Sequence, residues 1–444
     1  MRASFFQFAF ILVACLFCTL TVAEPLSRKE IAGHVPQPYS LGDPIGDDGV
    51  YQLIDISRAD AGFVFETDPL APLPGFSGAP INLLVLLDHD GKFLDVRLIE
   101  HNEPIFVSGL GEAPFRAFLE QYAGHSITTS LVVGSPYGGD GGGSSLVYLD
   151  GVTKATASVR IAHESIMGAA LAVAREKMQG ISTVPPAFPD PDYSEQLDWD
   201  ALVQQGLATR LLVTNAEIDT AFEGTVWEDD DPEATDYPDE PYLDLWIVDI
   251  GPPSIARAVL DESGLTELQG FLEISGDDEP ILLIENARHG LVSPDFVRNT
   301  APNLISAEQN GFPVALRDAD LFFDVANGVP DGRAMILRTD RRLGFDPASE
   351  WTLNVQAVRD HGIFQPETGS VTLSVNHQTD ARFFDRPEVI TPAPAWLSAL
   401  QNRMGDMILL AGFIAVLVWL LFFRMNPLAD SRAFTPIRLG ILAI

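Results

Sequence analysis

A short apolar run, Leu146, Val147, Tyr148 and Leu149, leads through Asp150-Gly151-Val152-Thr153-Lys154-Ala155-Thr156-Ala157-Ser158 into a helical pattern that continues to about Met178. Ile161, Ser165, Met167–Gly168 and Leu171–Ala174 give that pattern a face of small or apolar residues. A strand, a tight segment of small residues and a helix must therefore follow one another here. Small residues around two hydroxyls at such a junction put a threonine side chain where a phosphate can lie against free helix amides. The dipole of a helix beginning near Ser158 favours negative charge at the same place, and Arg160 can add a positive one. The plainer alternative is that Thr153, Thr156 and Ser158 only cap the helix.

Charge narrows the range of partners. The chain has 62 acidic against 27 basic residues in 444, a formal net charge of −35. That argues against nucleic-acid or anionic-lipid binding by the soluble part. Both cysteines, Cys15 and Cys18, fall in the N-terminal apolar run, so everything after residue 23 lacks thiols for a disulfide, an iron–sulfur cluster or a zinc-thiolate site. The eight histidines show no metal-ligand spacing, and no nucleophile–base pair stands out.

In chain order, Arg2 and the apolar stretch Phe5 to Val22, ending Thr21-Val22-Ala23, read as a signal peptide or an uncleaved anchor over 1–23. Residues 24–70 read as a polar lead-in with a short alternation at Tyr51–Ile56. Then come Gly75-Phe76-Ser77-Gly78-Ala79-Pro80, a strand at Ile81–Leu87, the hairpin turn Asp88-His89-Asp90-Gly91, a strand at Phe93–Ile99, and Glu100-His101-Asn102-Glu103-Pro104. A Gly-rich loop covers 138–143. Prolines 185, 186, 189 and 191 mark a linker, and the acidic segment from Glu228–Asp231 to Asp239-Glu240 reads as solvated and leaning to disorder, without EF-hand spacing for calcium.

Beyond it, Tyr242–Ile250, Phe271–Ser275, Ile281–Glu285, Asp320–Val325, Ala334–Arg338, Trp351–Val358 and Ser370–Val375 read as strands, with helical pieces at Ile255–Glu262 or Gly264–Gln269. Finally, Ile408–Phe423 is an unbroken apolar run close to the lower limit of ~17 residues for a membrane span. Arg424, Arg432 and Arg438 follow it, so residues of about 24–400 are expected on the outer, periplasmic side of a bacterial inner membrane.

The series Asp150-x-x-Thr153-x-Ala155-Thr156 resembles the acceptor motif of flavin transferases, which esterify an FMN phosphate onto the last threonine. The ordered set over about 75–180 (Gly-aromatic-Ser-Gly, strand, Asp-Gly turn, strand, His101-x-Glu103-Pro104, threonine motif) resembles the small FMN-binding domain of NosR/NirI and RnfG/NqrC proteins. Lys154 stands where that family usually has Gly. Tyr242–Leu245, Pro252–Ile255, Ser293–Arg298 and Gly344–Pro347 before Trp351 resemble the periplasmic segment of NosR-type proteins, which RnfG-like subunits lack.

The resemblance implies an α+β architecture: a small mixed FMN-binding domain at 71–182, an acidic β-rich periplasmic domain at 183–390, and a transmembrane helix with the start of a further segment at 391–444. It implies FMN held covalently on Thr156. Asp150, Thr153, Ala155, Ser158 and Arg160 would surround its phosphate, and Glu103 and His101 would approach its ring. Arg288, His289 and Arg298 are candidates for a partner or flavin face, with a structural role the simpler reading. The implied activity is electron transfer from the membrane quinol pool in support of nitrous oxide reductase. Its implied partners are a flavin transferase, nitrous oxide reductase or its maturation factors, membrane lipid and quinol. Iron–sulfur clusters are expected outside this chain. The alternatives are a non-redox periplasmic scaffold or regulatory sensor, or an RnfG/NqrC-like flavin subunit of an ion-pumping complex.

Overall fold

The computed structural model describes residues 26–46, 48–134, 146–178, 185–288, 302, 304–321, 323–362 and 367–387, together with the four positions 412, 414, 415 and 419. These fall in two units, 1–387 and 388–444. In the second unit only those four positions are described, all helical and exposed. The signal or anchor segment with its two cysteines, the Gly-rich loop, His289, Arg298 and most of the C-terminal apolar run lie outside the described residues. Among the described residues no helix is long and apolar enough to cross a membrane.

An antiparallel sheet of strands β1 (Ser40–Pro44), β2 (Tyr51–Ile54), β3 (Asp60–Glu66), β4 (Asn82–Leu87) and β5 (Phe93–Glu100), in that order, forms the first layer. Residues 40–66 are thus built into the sheet as three of its strands, which corrects their reading as a lead-in separate from a domain starting at 71. Side chains alternate across β3 and β4. Phe63, Phe65, Leu83, Val85 and Leu87 face one core, while Val64, Leu84 and Leu86 face another with Ile31 of α1 (Arg28–His34). After α2 (Thr67–Leu70) and α3 (Ala113–Glu120), strands β6 (Leu131–Val133) and β7 (Val147–Leu149) pair in parallel. They deliver the chain to α4 (Thr156–Lys177).

Helix α4 lays Val159, Ala162, Ile166, Ala169, Ala170 and Val173 on the first of those cores. The alanines let its backbone come close to the sheet, and Gly168 lies so near Ala71 and Leu343 that a Cβ would stand 3.2 Å from each. Helix packing of this closeness needs small residues at the contact.

The second region is a sandwich with helices on one side. One sheet has the order β14 (Arg317–Asp318), β15 (Arg333–Asp340), β11 (Asp278–Glu285), β10 (Pro241–Asp249), β9 (Ala208–Thr214). The other has the order β13 (Phe312–Val314), β12 (Ile305–Gln309), β16 (Trp351–His361), β17 (Glu367–His377). Leu243, Leu245, Ile247, Ile281 and Leu283 meet Leu353, Val355 and Ala357 between the sheets. On the opposite face Val248, Leu282 and Ile284 pack on Leu202 of α5 (Trp199–Gln204), Ile255 and Val259 of α8 (Pro253–Val259) and Leu268 of α9 (Glu262–Ile274). Strands buried on both faces are apolar along their length, as β10 and β11 are. The short pair β8 (Phe188–Pro189) and β18 (Phe384–Asp385) ties the two ends of this region together.

Two expected strands are corrected. Phe271–Ser275 is the end of helix α9, because Leu265, Leu268 and Leu272 recur at helical spacing onto the core. Among the described residues of 320–325 the only bridge is Val325 to Leu260. The acidic segment is largely exposed, as a solvated stretch should be, but it is ordered, and its leaning to disorder is corrected. It carries α7 (Pro232–Asp236) beside α6 (Asn215–Phe222) and is organised around Arg359, whose side chain is 2% exposed. That guanidinium binds Asp219 at 2.5 Å and the Glu228 carbonyl at 3.0 Å, and Asp231 lies 3.5 Å away. Arg288 binds the same Asp231 at 2.7 Å and also Asn215, which gives it a structural place.

Candidate functional site

The start of α4 is the point on which the first layer converges. Thr156 is the first helical residue and is exposed, so the helix begins two residues before the sequence suggested. Its N-cap is Ala155, and no side chain caps this end. Neither Thr153, Thr156 nor Ser158 therefore serves as a cap, and the first-turn amides are left for another acceptor. Ala155 is buried, its amide bound to the Val152 carbonyl at 2.9 Å, which fixes the turn. Lys154 within that turn has φ +73°, the left-handed conformation that glycine adopts freely. A lysine there bears a strain of about 1 kcal/mol, and the turn keeps a glycine-like shape.

Ser158, buried two residues beyond Thr156, donates to the carboxylate of Glu103. Glu103 is wholly buried and also accepts from the Ser77 amide at 3.3 Å. A Cβ on Gly75 would overlap that carboxylate and come 2.7 Å from the Ala79 carbonyl, so only glycine fits. One carboxylate thus joins the loop 75–79, the end of β5 and the first turn of α4. Between them is an open cleft of about 440 Å³ lined by Phe76, Pro104, Ile105, Lys154, Ala157 and Ser158, among others. Phe76 is 73% exposed, so an aromatic face stands free at its wall.

The remaining expected residues lie around this cleft rather than in it. Asp150 is exposed, and its backbone is gripped at both ends by Gln121, which accepts from the Asp150 amide at 2.7 Å and donates to its carbonyl at 3.0 Å. Thr153 is exposed in the turn. His101 does not line the cleft. Its ring sits edge-on between Phe106 and Phe115 while its Nδ1 accepts from the Glu103 amide at 3.1 Å, so it fixes the backbone that carries Glu103. Arg160 turns towards the second region, where it stands near Arg317, with Glu164 of its own helix beside it. Burial, then the Arg317 charge, lowers its pKa.

Sequence reasoning missed Gln121 as part of the site, and placed Gly75 and Phe76 only in the ordered set that carries the resemblance. It also missed His163 on the buried side of α4. Burial first, then Arg317, pushes the His163 pKa down to about 3, so the ring is neutral. Its hydrogen bond to the Leu131 backbone uses its single N–H, and Nδ1 therefore accepts from the Tyr122 hydroxyl at 2.7 Å.

An uncapped helix start, an exposed hydroxyl on its first residue, a nearby lysine and an adjoining cleft with an aromatic wall can together accept an anionic group with a flat ring attached. Comparison with known proteins gives the chain its relatives. It is 28% identical over 438 residues to the regulatory protein NosR of Pseudomonas aeruginosa, an alignment covering 94% of this chain and 59% of that protein. It is 31% identical over 325 residues to the regulatory protein NosR of Stutzerimonas stutzeri, covering 71% and 44% respectively. With the protein NirI of Paracoccus denitrificans it shares 23% over 392 residues, covering 86% and 53%. The chain spans about half the length of the curated relatives it matches. No family model and no solved structure matches. By these relationships the chain is of the NosR/NirI type.

Proposed function

We propose that this chain is a flavin carrier with a regulatory role in denitrification, holding FMN through a phosphoester on the Thr156 hydroxyl. The observation that carries this reading is the exposed Thr156 at the uncapped first turn of a 22-residue helix, beside the cleft walled by Phe76. The phosphate would accept from the first-turn amides and gain from the helix dipole. Lys154 would add a cation in an otherwise acidic chain. Ala155 and Thr153 would shape the turn, and Ser158 would be kept from competing for the phosphate by its bond to Glu103. Phe76 would cover one face of the ring and limit the water around it. The flavin, once attached, supplies the redox chemistry, and the protein supplies position and electrostatics.

In the wider reading this region lies on the periplasmic side of the inner membrane. It passes electrons from quinol in support of nitrous oxide reductase or its maturation, after a flavin transferase has loaded it. A covalent tether suits a compartment where a dissociated cofactor is not replaced.

The test is intact-mass measurement of the chain co-expressed with a flavin transferase, as wild type and as Thr156→Ala. A gain of one FMN less water in the wild type alone supports the reading. No gain, with the transferase active on a control substrate, overturns it and leaves a membrane-anchored scaffold or sensor as the better account.

A further inference from the structure

Along α4, residues 160, 164, 167, 171 and 175 form a stripe that faces the second region across a partly enclosed cavity of about 80 Å³. Most of the cavity wall is apolar, with Met167 and Leu171 from the helix and Ile305, Leu316 and Phe345 from the opposite side. The charged groups of the wall are Arg160, Arg175 and Arg317 against Glu164 and Asp340. Three of these are matched: Arg317 pairs with Glu164, and Asp340 is held at 2.6 Å by Arg342, which lies outside the wall. His163, also in the wall, is neutral.

Arg175 differs from its neighbours. Its guanidinium lies against Gly344, where a Cβ would overlap it, and it donates to the Leu343 carbonyl at 3.1 Å. Among the described residues no carboxylate lies within ion-pair distance of it. Burial is the cause that lowers its pKa, with no opposing charge to raise it. A partly buried guanidinium with one carbonyl partner keeps further donors in a fixed planar fork. In a chain of net charge −35, a cavity wall with surplus positive charge is a local inversion.

We infer that this cavity is a binding site for a small amphipathic monoanion, a short-chain carboxylate whose charged end meets Arg175 and whose hydrocarbon end fills the apolar wall. The volume admits a few carbon atoms and not a nucleotide. The planar fork matches a carboxylate, and the one charge of Arg175, which has no carboxylate partner among the described residues, matches a monoanion. The site shares α4 with Thr156 but uses a different stripe of it, so the two can be tested apart.

The experiment is calorimetric titration of the full 444-residue chain with sodium butyrate and with butyramide, which has the same hydrocarbon body and no charge, at matched ionic strength. Butyrate is expected to bind saturably at one site, at least tenfold more tightly than butyramide. Arg175→Gln is expected to weaken butyrate by about tenfold or more, as loss of a charge-assisted hydrogen-bonded pair does, and to leave butyramide unchanged. Absence of saturable butyrate binding, equal affinity for the two compounds, or undiminished butyrate affinity in folded Arg175→Gln would each overturn the inference. If Arg175→Gln does not fold, the comparison of the two compounds on the wild-type chain decides by itself.

Discussion

Ser158 gives its hydroxyl hydrogen to Glu103, 55 residues earlier in the chain. This one contact holds the first turn of α4 against the end of β5, and the same carboxylate secures the loop of Gly75 and Phe76. Glu103→Ala should leave the Ser158 hydroxyl and the Ser77 amide without their acceptor, at a cost of about 2 kcal/mol or more. Gly75→Ala should cost a similar amount by overlap with Glu103. Both should lower flavin loading of Thr156, with urea unfolding giving the first effect and intact mass the second. Full stability and full loading in Glu103→Ala would refute the assigned role.

Lys154 occupies a left-handed position without need of its side chain for the turn. Lys154→Gly should therefore raise stability by about 1 kcal/mol, measured as a shift in the urea midpoint at unchanged slope. A drop in stability would mean that the lysine makes a contact worth more than the strain.

His163 is held neutral with its pKa lowered to about 3, and His377 likewise to about 4, burial being the first cause in both. Their folded values lie below the unfolded one of 6.5. The stability they contribute is complete above that pH and is lost as pH falls towards the folded values, by up to about 1.4 kcal/mol per pH unit for each histidine. His163→Gln should flatten the fall in melting temperature between pH 6.5 and 4. An unchanged slope would show that the ring is not the titrating group.

Within β10 and β11, Asp249 and Glu279 share a wholly buried site with Arg341. Burial foremost, and then the Asp249 charge, raises the pKa of Glu279 well above the carboxylate range. A group with a raised folded pKa adds stability below its unfolded value and loses it as pH rises through the folded one. Glu279→Gln, which cannot ionise, should gain on the wild type as pH is raised from 5 to 8. Parallel stability curves across that range would contradict the assignment.

Arg359 concentrates several bonds to the acidic segment on one buried guanidinium. Arg359→Leu should cost about 3–5 kcal/mol, since carboxylates and carbonyls are left without their cation. Hydrogen exchange should rise first over residues 228–240. Uniform exchange across the second region would argue against a local anchor.

Local patterns carried much of the fold. Strands β4 and β5 and helix α4 were legible because alternation, the Asp-Gly turn and the small-residue face each lie within one short window. Phe271–Ser275 was misread because Phe271, Leu272 and Ile274 look strand-like in isolation, and only Leu265 and Leu268 reveal the helical period. At the site, the threonine turn was readable as a motif. The Ser158–Glu103 contact, the Gln121 grip on Asp150 and the outward turn of Arg160 were not, since each depends on residues brought together by the sheet. The acidic segment misled for the same reason: its counter-charge, Arg359, stands more than a hundred residues away.

Helix α4 is 22 residues long, so about 33 Å separate its two ends. Leu343 rests on Gly168 near its middle, and the Leu343 carbonyl is grasped by Arg175 a further two turns along. The helix therefore acts as a spoke clamped by the turn at 341–343. It cannot roll about its own axis without dragging that turn. The bearing of the Thr156 hydroxyl is consequently set from the far end, and Leu343, remote from the cleft, is one of the residues that steer it.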